Sequence, residues 1–433
     1  MITNRTYKIP LDLVRRSGGV LDAVADSQGG EPLRWFVSRA DPDGITVEAT
    51  ECAPGSVPRE SRPAPPPAPS GKAVAISLIP TGIGCSIGGY AGDAGPASAV
   101  LAAAADLLVT NPNAVNASNF TATDPRIIYA EGYSLDLFSR GQTALYVPRA
   151  NRVGVIIERA PDEALAEVFN VINVVRAVHG VEITDYLVTS RSIGTRSMRH
   201  GSGAYVGQID HPEVLLDAAR RLAGAGANAL AVTTNVQGLV TDDYASHFAG
   251  LHPNPVGGAE AVVSHLLTRV LRLPAAHAPM INFSRDHLPA RVVDARSAGE
   301  FASASGLACV LTGLRRAPQL TIRPDSVTST SVSSADIMAV VAPATALGSV
   351  PVLSAVQRRV PVVAVRSNRT ILDVTAANLG LPGVIEVEDY LAAAGVLLAL
   401  RTGISVDSVL RPLATLGAAP RREAQADVPA VTA

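Results

Sequence analysis

Lysine is nearly absent from this chain. Of its 36 basic residues only Lys8 and Lys72 are lysines, and residues 73–433 carry arginine alone. A pyridoxal-phosphate enzyme needs a lysine for its Schiff base, and a P-loop NTPase needs the lysine of GxxxxGK[ST]. Neither can be built on residues 73–433. Three cysteines, Cys52, Cys85 and Cys309, are too few and too scattered for an iron–sulfur cluster or the common structural zinc sites. They show no pairing pattern, which points to a reducing compartment. Charged residues make up only 17% and the formal net charge is −2, so no basic face is expected to meet nucleic acid. Apolar runs such as AVLAAAADLLV are too short and too alanine-rich to span a membrane. No basic segment followed by an apolar one opens the sequence, so a cytoplasmic protein without a signal peptide is expected.

What is abundant is apolar. Hydrophobic residues reach 47% over 433 positions, enough for two or three domains with large cores and for the subunit contacts of a homo-oligomer. Residues 1–52 read as a small α+β module: a short helix around 11–25, then PLRWFVSR and GITVEATE joined by Asp41-Pro42-Asp43-Gly44. Residues 53–72 are proline-rich and read as an extended linker. From Ala73 onward short β-branched runs alternate with helical ones, the pattern of an α/β fold with doubly wound, mostly parallel sheets. Ten runs read as buried parallel strands: AVAISLIP, DLLVTN, RIIYAEG, RVGVIIE, DYLVTS, ALAVTTN, ACVLTGL, IMAVVAP, PVVAVRS and GVIEV. Helices are expected over 96–105, 162–179, 212–225, 257–271, 297–306, 369–380 and 388–401. The strandless stretch 241–255 divides two lobes, 73–250 and 251–413. DSVTSTSVSSAD reads as a loop and residues 414–433 as a disordered tail.

Open parallel sheets bind ligands beyond the carboxyl ends of their strands. Those ends carry Asn111, Asn113, Arg191, Arg196, Asn235, Arg366 and Asn368, with few carboxylates, a set that suits a small anionic metabolite. The first strand runs into TGIGCSIGG. Its Gly82, Gly84 and Gly88 are spaced GxGxxxG, the helix starts late, and the second strand ends in Thr110-Asn111 without an acid. These departures disfavour a dinucleotide fingerprint. The amides around Gly84, Ser86, Gly88 and Gly89 can still form an anion nest, and such amides lower a thiol pKa. Cys85 is therefore the first candidate acid/base or nucleophile, with Cys309 or His277 as its partner. Cysteine is also among the most buried and inert residues, so packing competes with chemistry at both positions.

A metal is the alternative. His200, His211, His252, His265, His277 and His287 lie close in sequence to Asp210, Asp242, Asp243 and Asp286, but no HExxH or HxH spacing appears. His265, five residues after Glu260 in AEAVVSHLLTRVL, reads as a packing histidine.

PTGIGCSIGGYAGDA, with DLLVTNPNAVNAS after it, resembles a bacterial and plastid α/β family of unknown function, as do GGAEAVVSHLL, PAAHAP, CVLTGLRRAP and VPVVAVRSNRT. The resemblance covers residues 74–405, leaves out the N-terminal module and linker, and implies no activity or cofactor. ARRLAGAGANALAVTTN is similar to a helix–strand unit of aspartate and glutamate racemases, though Thr233-Thr234-Asn235 stands where that family has Cys-Asn-Thr. Together these features lead to an expected enzyme, without an organic cofactor, that moves a proton on a small carboxylate by racemisation, isomerisation or elimination. A metal-dependent lyase or hydrolase, and an anion-binding regulatory protein, are the competing expectations.

Overall fold

The long apolar runs pair side by side and in parallel, as continuous burial on both faces requires. The computed structural model describes residues 2–28, 32–52, 68–121, 124–239, 241–280, 292–302, 306–321, 331–413 and 415. In chain order the strands are β1 (Ile2–Pro10), β2 (Arg34–Asp41), β3 (Gly44–Cys52), β4 (Val74–Ser77), β5 (Leu107–Thr110), β6 (Ile127–Tyr129), β7 (Ala144–Tyr146), β8 (Arg152–Ile157), β9 (Glu182–Val188), β10 (Thr195–Arg199), β11 (Tyr205–Ile209), β12 (Ala229–Thr234), β13 (Ala275–Pro279), β14 (Gln319–Thr321), β15 (Ser331–Val332), β16 (Ile337–Pro343), β17 (Val362–Val365) and β18 (Val384–Val387).

One sheet has six strands in the order β18-β17-β16-β4-β5-β6, every neighbouring pair parallel. A second has four, β13-β12-β8-β9, again parallel throughout. An antiparallel sheet, β10-β11-β1-β3-β2, and a short one, β14-β7-β15, complete the set among the described residues. This is an α/β fold with two parallel sheets. Val74, Ile76, Leu108 and Val109 in the first sheet are fully buried, each contributing roughly 1.5–3 kcal/mol of hydrophobic stabilisation. No helix among the described residues is long and apolar enough to cross a membrane.

The two parallel sheets are not successive halves of the chain. The four-stranded sheet lies wholly between β6 and β16 in sequence, so a boundary at residue 250 separates β12 from its parallel neighbour β13. The N-terminal strands are not a detached module either. Ile2 of β1 pairs with Ile209 of β11, and the Val37 amide donates to the Gly348 carbonyl. Ile9, Trp35 and Val37 share one apolar cluster with Val363 and Val365. Most of the expected linker, 53–67, lies outside the described residues, as do 325–330 of the Ser/Thr-rich loop and the tail apart from residue 415.

Three local readings change. GLACVLTGL, expected as a strand, is the helix Gly306–Leu314, buried from Leu307 to Leu314. A helix buried all round loses its amphipathic period and looks like a buried strand in sequence. PAAHAP, which follows the expected helix 257–271 and was not among the expected strands, contains β13. Within 369–380 only Ala376–Leu379 is helical, because the preceding turn is spent on bonds such as that from the Ile371 amide to the Ile83 carbonyl. Strand β1 was not expected: its polar middle, with burial concentrated at Ile2 and Ile9, hides its alternation.

The first residues after β4 meet β11 and the helix Gly257–Leu271 through bare backbone. The Tyr205 amide donates to the Gly82 carbonyl at 2.9 Å. A Cβ on Gly82 would sit 2.8 Å from the Tyr205 oxygen, and one on Gly257 would sit 2.8 Å from the Gly82 nitrogen. A Cβ on Gly258 would strike the Tyr205 carbonyl and lie 2.6 Å from Val206 Cα. Gly258→Ala gains about 1 kcal/mol in helix preference but meets rigid backbone, an overpacking cost of about 3 kcal/mol. Denaturant unfolding of G258A should therefore show a net loss of about 2 kcal/mol; unchanged stability would mean that helix and strand can move apart.

Candidate active site

Chain order reverses between β16 and β4: β4, β5 and β6 run outward one way, β16, β17 and β18 the other. At such a switch point the loops diverge and leave a crevice. Here it holds a cavity of about 180 Å³. Residues 78–81 after β4, 111–113 and Asn116 after β5, 131–136 after β6 and 348–351 after β16 contribute walls. The helix Gly257–Leu271 adds Glu260, Ala261, Ser264 and His265, β13 adds Ala276 and His277, and β2 adds Arg34 to Val37.

Half of its ionisable groups are acids: Glu131, Asp136 and Glu260. Glu260 is partly buried and makes no hydrogen bond or ion pair with any described side chain, and burial, with the charge of Glu300, pushes its carboxyl up to about 8. Glu131, 3% exposed, caps the helix Gly132–Ser139 by accepting from the Tyr133 amide at 2.8 Å, the Ser134 amide at 2.6 Å and the Ser134 hydroxyl at 2.7 Å. Burial still raises it to about 7, against the pull of those donors. His265 donates Nδ1–H to the Ala261 carbonyl at 2.8 Å. Burial, aided by the charge of Arg34, lowers its pKa to about 3, so the ring is neutral and Nε2 keeps its lone pair. His277 is likewise lowered to about 3 by burial. Its Nε2 lies 2.8 Å from the Thr234 hydroxyl, and its buried Nδ1 has no partner. Arg34 is the one arginine among the lining residues, and lysine is absent from them.

The family model described as "Protein of unknown function (DUF3326)" matches residues 74–410. The chain belongs to this family. An uncharacterised lipoprotein of Synechococcus sp. is 35% identical over 335 residues, covering 76% of this chain and 91% of that protein. No solved structure matches. The family resemblance therefore holds, while the likeness to aspartate and glutamate racemases is supported by neither comparison. The expected cytoplasmic location does not stand, because this DUF3326 relative is named a lipoprotein.

Of the residues singled out in sequence, Asn111, Asn113 and His277 line the cavity, and so does His265, which was read as a packing histidine. The two asparagine amides are committed to the loop after β4. Asn111 accepts from the Ile79 amide at 2.8 Å and donates to its carbonyl at 2.7 Å, and Asn113 donates to the Gly88 carbonyl at 2.6 Å. Gly84, Ser86, Gly88 and Gly89 lie outside the cavity lining. Their loop is braced by the chain itself: the Ser86 amide donates to the Arg369 carbonyl, and the Ile87 amide donates to Asn368 at 2.9 Å. The expected anion nest is already occupied, since Gly88 and Tyr90 amides turn toward the Asp93 carboxylate.

The thiols are corrected too. Cys85 is 2% exposed, its Sγ donates to the Pro80 carbonyl, and burial together with Asp93 pushes it far above a normal thiol. Desolvation outweighs the backbone amides. Cys309 sits on a helix, not a strand, and burial and Glu300 raise it to about 12. The strand-end arginines are paired on the surface: Arg191 with Glu213 at 2.8 Å, Arg196 with Asp210 at 2.7 Å and Arg366 with Glu388 at 3.0 Å. Asn235 gives its amide to Glu158, a buried carboxylate that also accepts from Ser192, Ile193 and Gly194. That carboxylate fills the anion position expected beyond β8.

The histidines do not gather as one cluster: His265 and His277 line the cavity, whereas His200, His211 and His252 do not. His200 faces Glu48 and His211 faces Glu213, His247, which was not in the expected set, is buried against Glu300, and His287 and Asp286 lie outside the described residues. Among the described residues no three His, Cys, Asp or Glu side chains are grouped to hold a metal ion. Sequence reading passed over Arg34, Glu131 and Glu260. Glu131 carried a usable signal, an acid immediately after the strand run RIIYA, and Glu260 another, an acid in an otherwise apolar helix.

Two outcomes follow from these environments. A thiol reagent applied to the native protein should modify only the partly exposed Cys52, with Cys85 and Cys309 reacting after unfolding; rapid native labelling of Cys85 would restore the thiol as a reactive group. The Glu260 carboxyl keeps its proton in the fold up to about 8 but loses it near 4.5 when unfolded. The native state thus binds more protons between those values, and stability falls as pH rises through them. Glu260→Gln should flatten that fall and be more stable than the parent at pH 8 by about 1–2 kcal/mol, since the group is only partly buried. Equal slopes from pH 5 to pH 8 would contradict this.

Proposed function

We propose that the cavity is the active site of an enzyme that moves a proton on a small metabolite, as an isomerase, racemase or lyase, with Glu260 as the acid–base group. One observation carries the reading. A half-buried carboxyl that bonds no described side chain stands in a partly apolar crevice and holds its proton to about 8. Near neutrality it populates both the form that takes a proton and the form that gives one, as a general acid–base catalyst needs. Neutral His265, with Nε2 unprotonated, is a second acceptor in the same cavity. Asn116 accepts from the Tyr129 hydroxyl at 2.9 Å, which leaves its amide hydrogens for a ligand. No role here asks for lysine or for Cys85.

Enzymes of this kind exchange a carbon-bound hydrogen of the substrate with solvent. Incubation of the protein with small metabolites in heavy water, read by mass spectrometry, should show deuterium entering one chemical class. Glu260→Gln should slow that exchange by on the order of 10²–10⁴-fold, while Cys85→Ala leaves it unchanged. Full exchange in E260Q, or no exchange by the parent with any compound, would end the proposal.

A further inference from the structure

The family match begins at residue 74, yet β2, far upstream of it, lays Arg34 along the cavity wall. The Arg34 guanidinium makes no hydrogen bond or salt bridge with any described residue. Its recorded neighbours are the Phe36 ring, 5.3 Å from Cζ, and the more distant charges of Asp136 and Glu48. Arg34 is half-buried, so its charge is partly withdrawn from water with no partner of opposite charge in contact. Arg191, Arg196 and Arg366, although on the surface, each have a carboxylate partner. A planar guanidinium with five free N–H donors is shaped for a carboxylate held fork to fork.

We infer that Arg34 binds the carboxylate of the substrate, and that the N-terminal sheet is therefore a specificity element laid over a cavity that the family segment builds. The catalytic meaning of this rests on the proton-transfer reading above; the binding does not. Arg34 lies among Asp136, Glu48 and His265, whereas Glu260 lies near Glu300, Tyr129 and Tyr244. A carboxylate anchored at the first group directs the rest of the molecule toward the second.

The test uses the full chain and a panel of two- to six-carbon mono- and dicarboxylates and the common amino acids, each beside its amide. At least one carboxylate should raise the melting temperature while its amide does not. Arg34→Gln should weaken that ligand by about tenfold or more, the scale of one lost charge-assisted hydrogen bond, and Arg34→Lys should recover part of it. Phenylglyoxal mapping on the unaltered protein serves if R34Q does not fold: the same carboxylate should shield Arg34 from modification. No binding by any carboxylate, equal binding by R34Q, or unshielded Arg34 would overturn the inference. If R34Q binds normally while E260Q stops exchange, only the Arg34 assignment fails. If R34Q loses binding while no exchange is found, Arg34 stands and only the catalytic reading fails.

Discussion

Backbone meets backbone where Gly82, Gly207, Gly257 and Gly258 converge, and the cavity is built outward from that contact. Each of these positions would drive a Cβ into a neighbouring main chain. The contact fastens the first turn of the helix Gly257–Leu271 to the loop after β4 and to β11. Glu260 lies one turn further along that helix, and His265 a little over one turn beyond it. Their place in the cavity is thus set by a junction that tolerates no side chain. A rigid frame of this kind is what lets a costly buried carboxyl keep its position.

The treatment of charge divides the molecule in two. At Asp93 and Glu158, buried or half-buried carboxylates are surrounded by the chain's own amides and hydroxyls. Those are satisfied structural groups, and they consume the anion nests that glycine-rich and asparagine-rich loops suggest. In the cavity the reverse holds. Glu260 and Arg34, both half-buried, make no hydrogen bond with any described side chain, and the buried Nδ1 of His277 has no partner. Unpaired buried polar groups are expensive, and among the described residues they also occur away from the cavity, at Glu48 Oε2, Thr184 and Thr195.

How much of this was legible in sequence varied with the kind of information needed. Nine of the ten apolar runs read as strands are strands, most of them because burial on both faces leaves a plain continuous pattern, although the edge strands β9 and β18 carry no buried residue. The tenth failed for the same reason, since a helix sealed on every side writes an identical run at Gly306–Leu314. A crevice beyond strand ends was also legible, and His277 lines it. Which polar side chains are already bonded within the fold was not. Asn111 and Asn113 looked like ligand groups, and only their distances to Ile79 and Gly88 reveal them as braces. Arg34 belongs to a strand that sequence assigned to a separate module, and nothing local tells that β2 docks at residue 348.

The interleaving of the sheets bears on how the protein is made. Strand β4 leaves the ribosome early, but Val74 has to wait for Ile337 to cover its open side. In the interval the whole four-stranded sheet is synthesised, while one edge of β4 stays unpaired and apolar. Such an edge recruits other strands. The cavity cannot close until residues 346–351 emerge, so a ligand can stabilise only the nearly finished chain. Contacts this distant in sequence form slowly. A nascent chain stalled before β16 is therefore the form of this protein most exposed to aggregation and most in need of a chaperone.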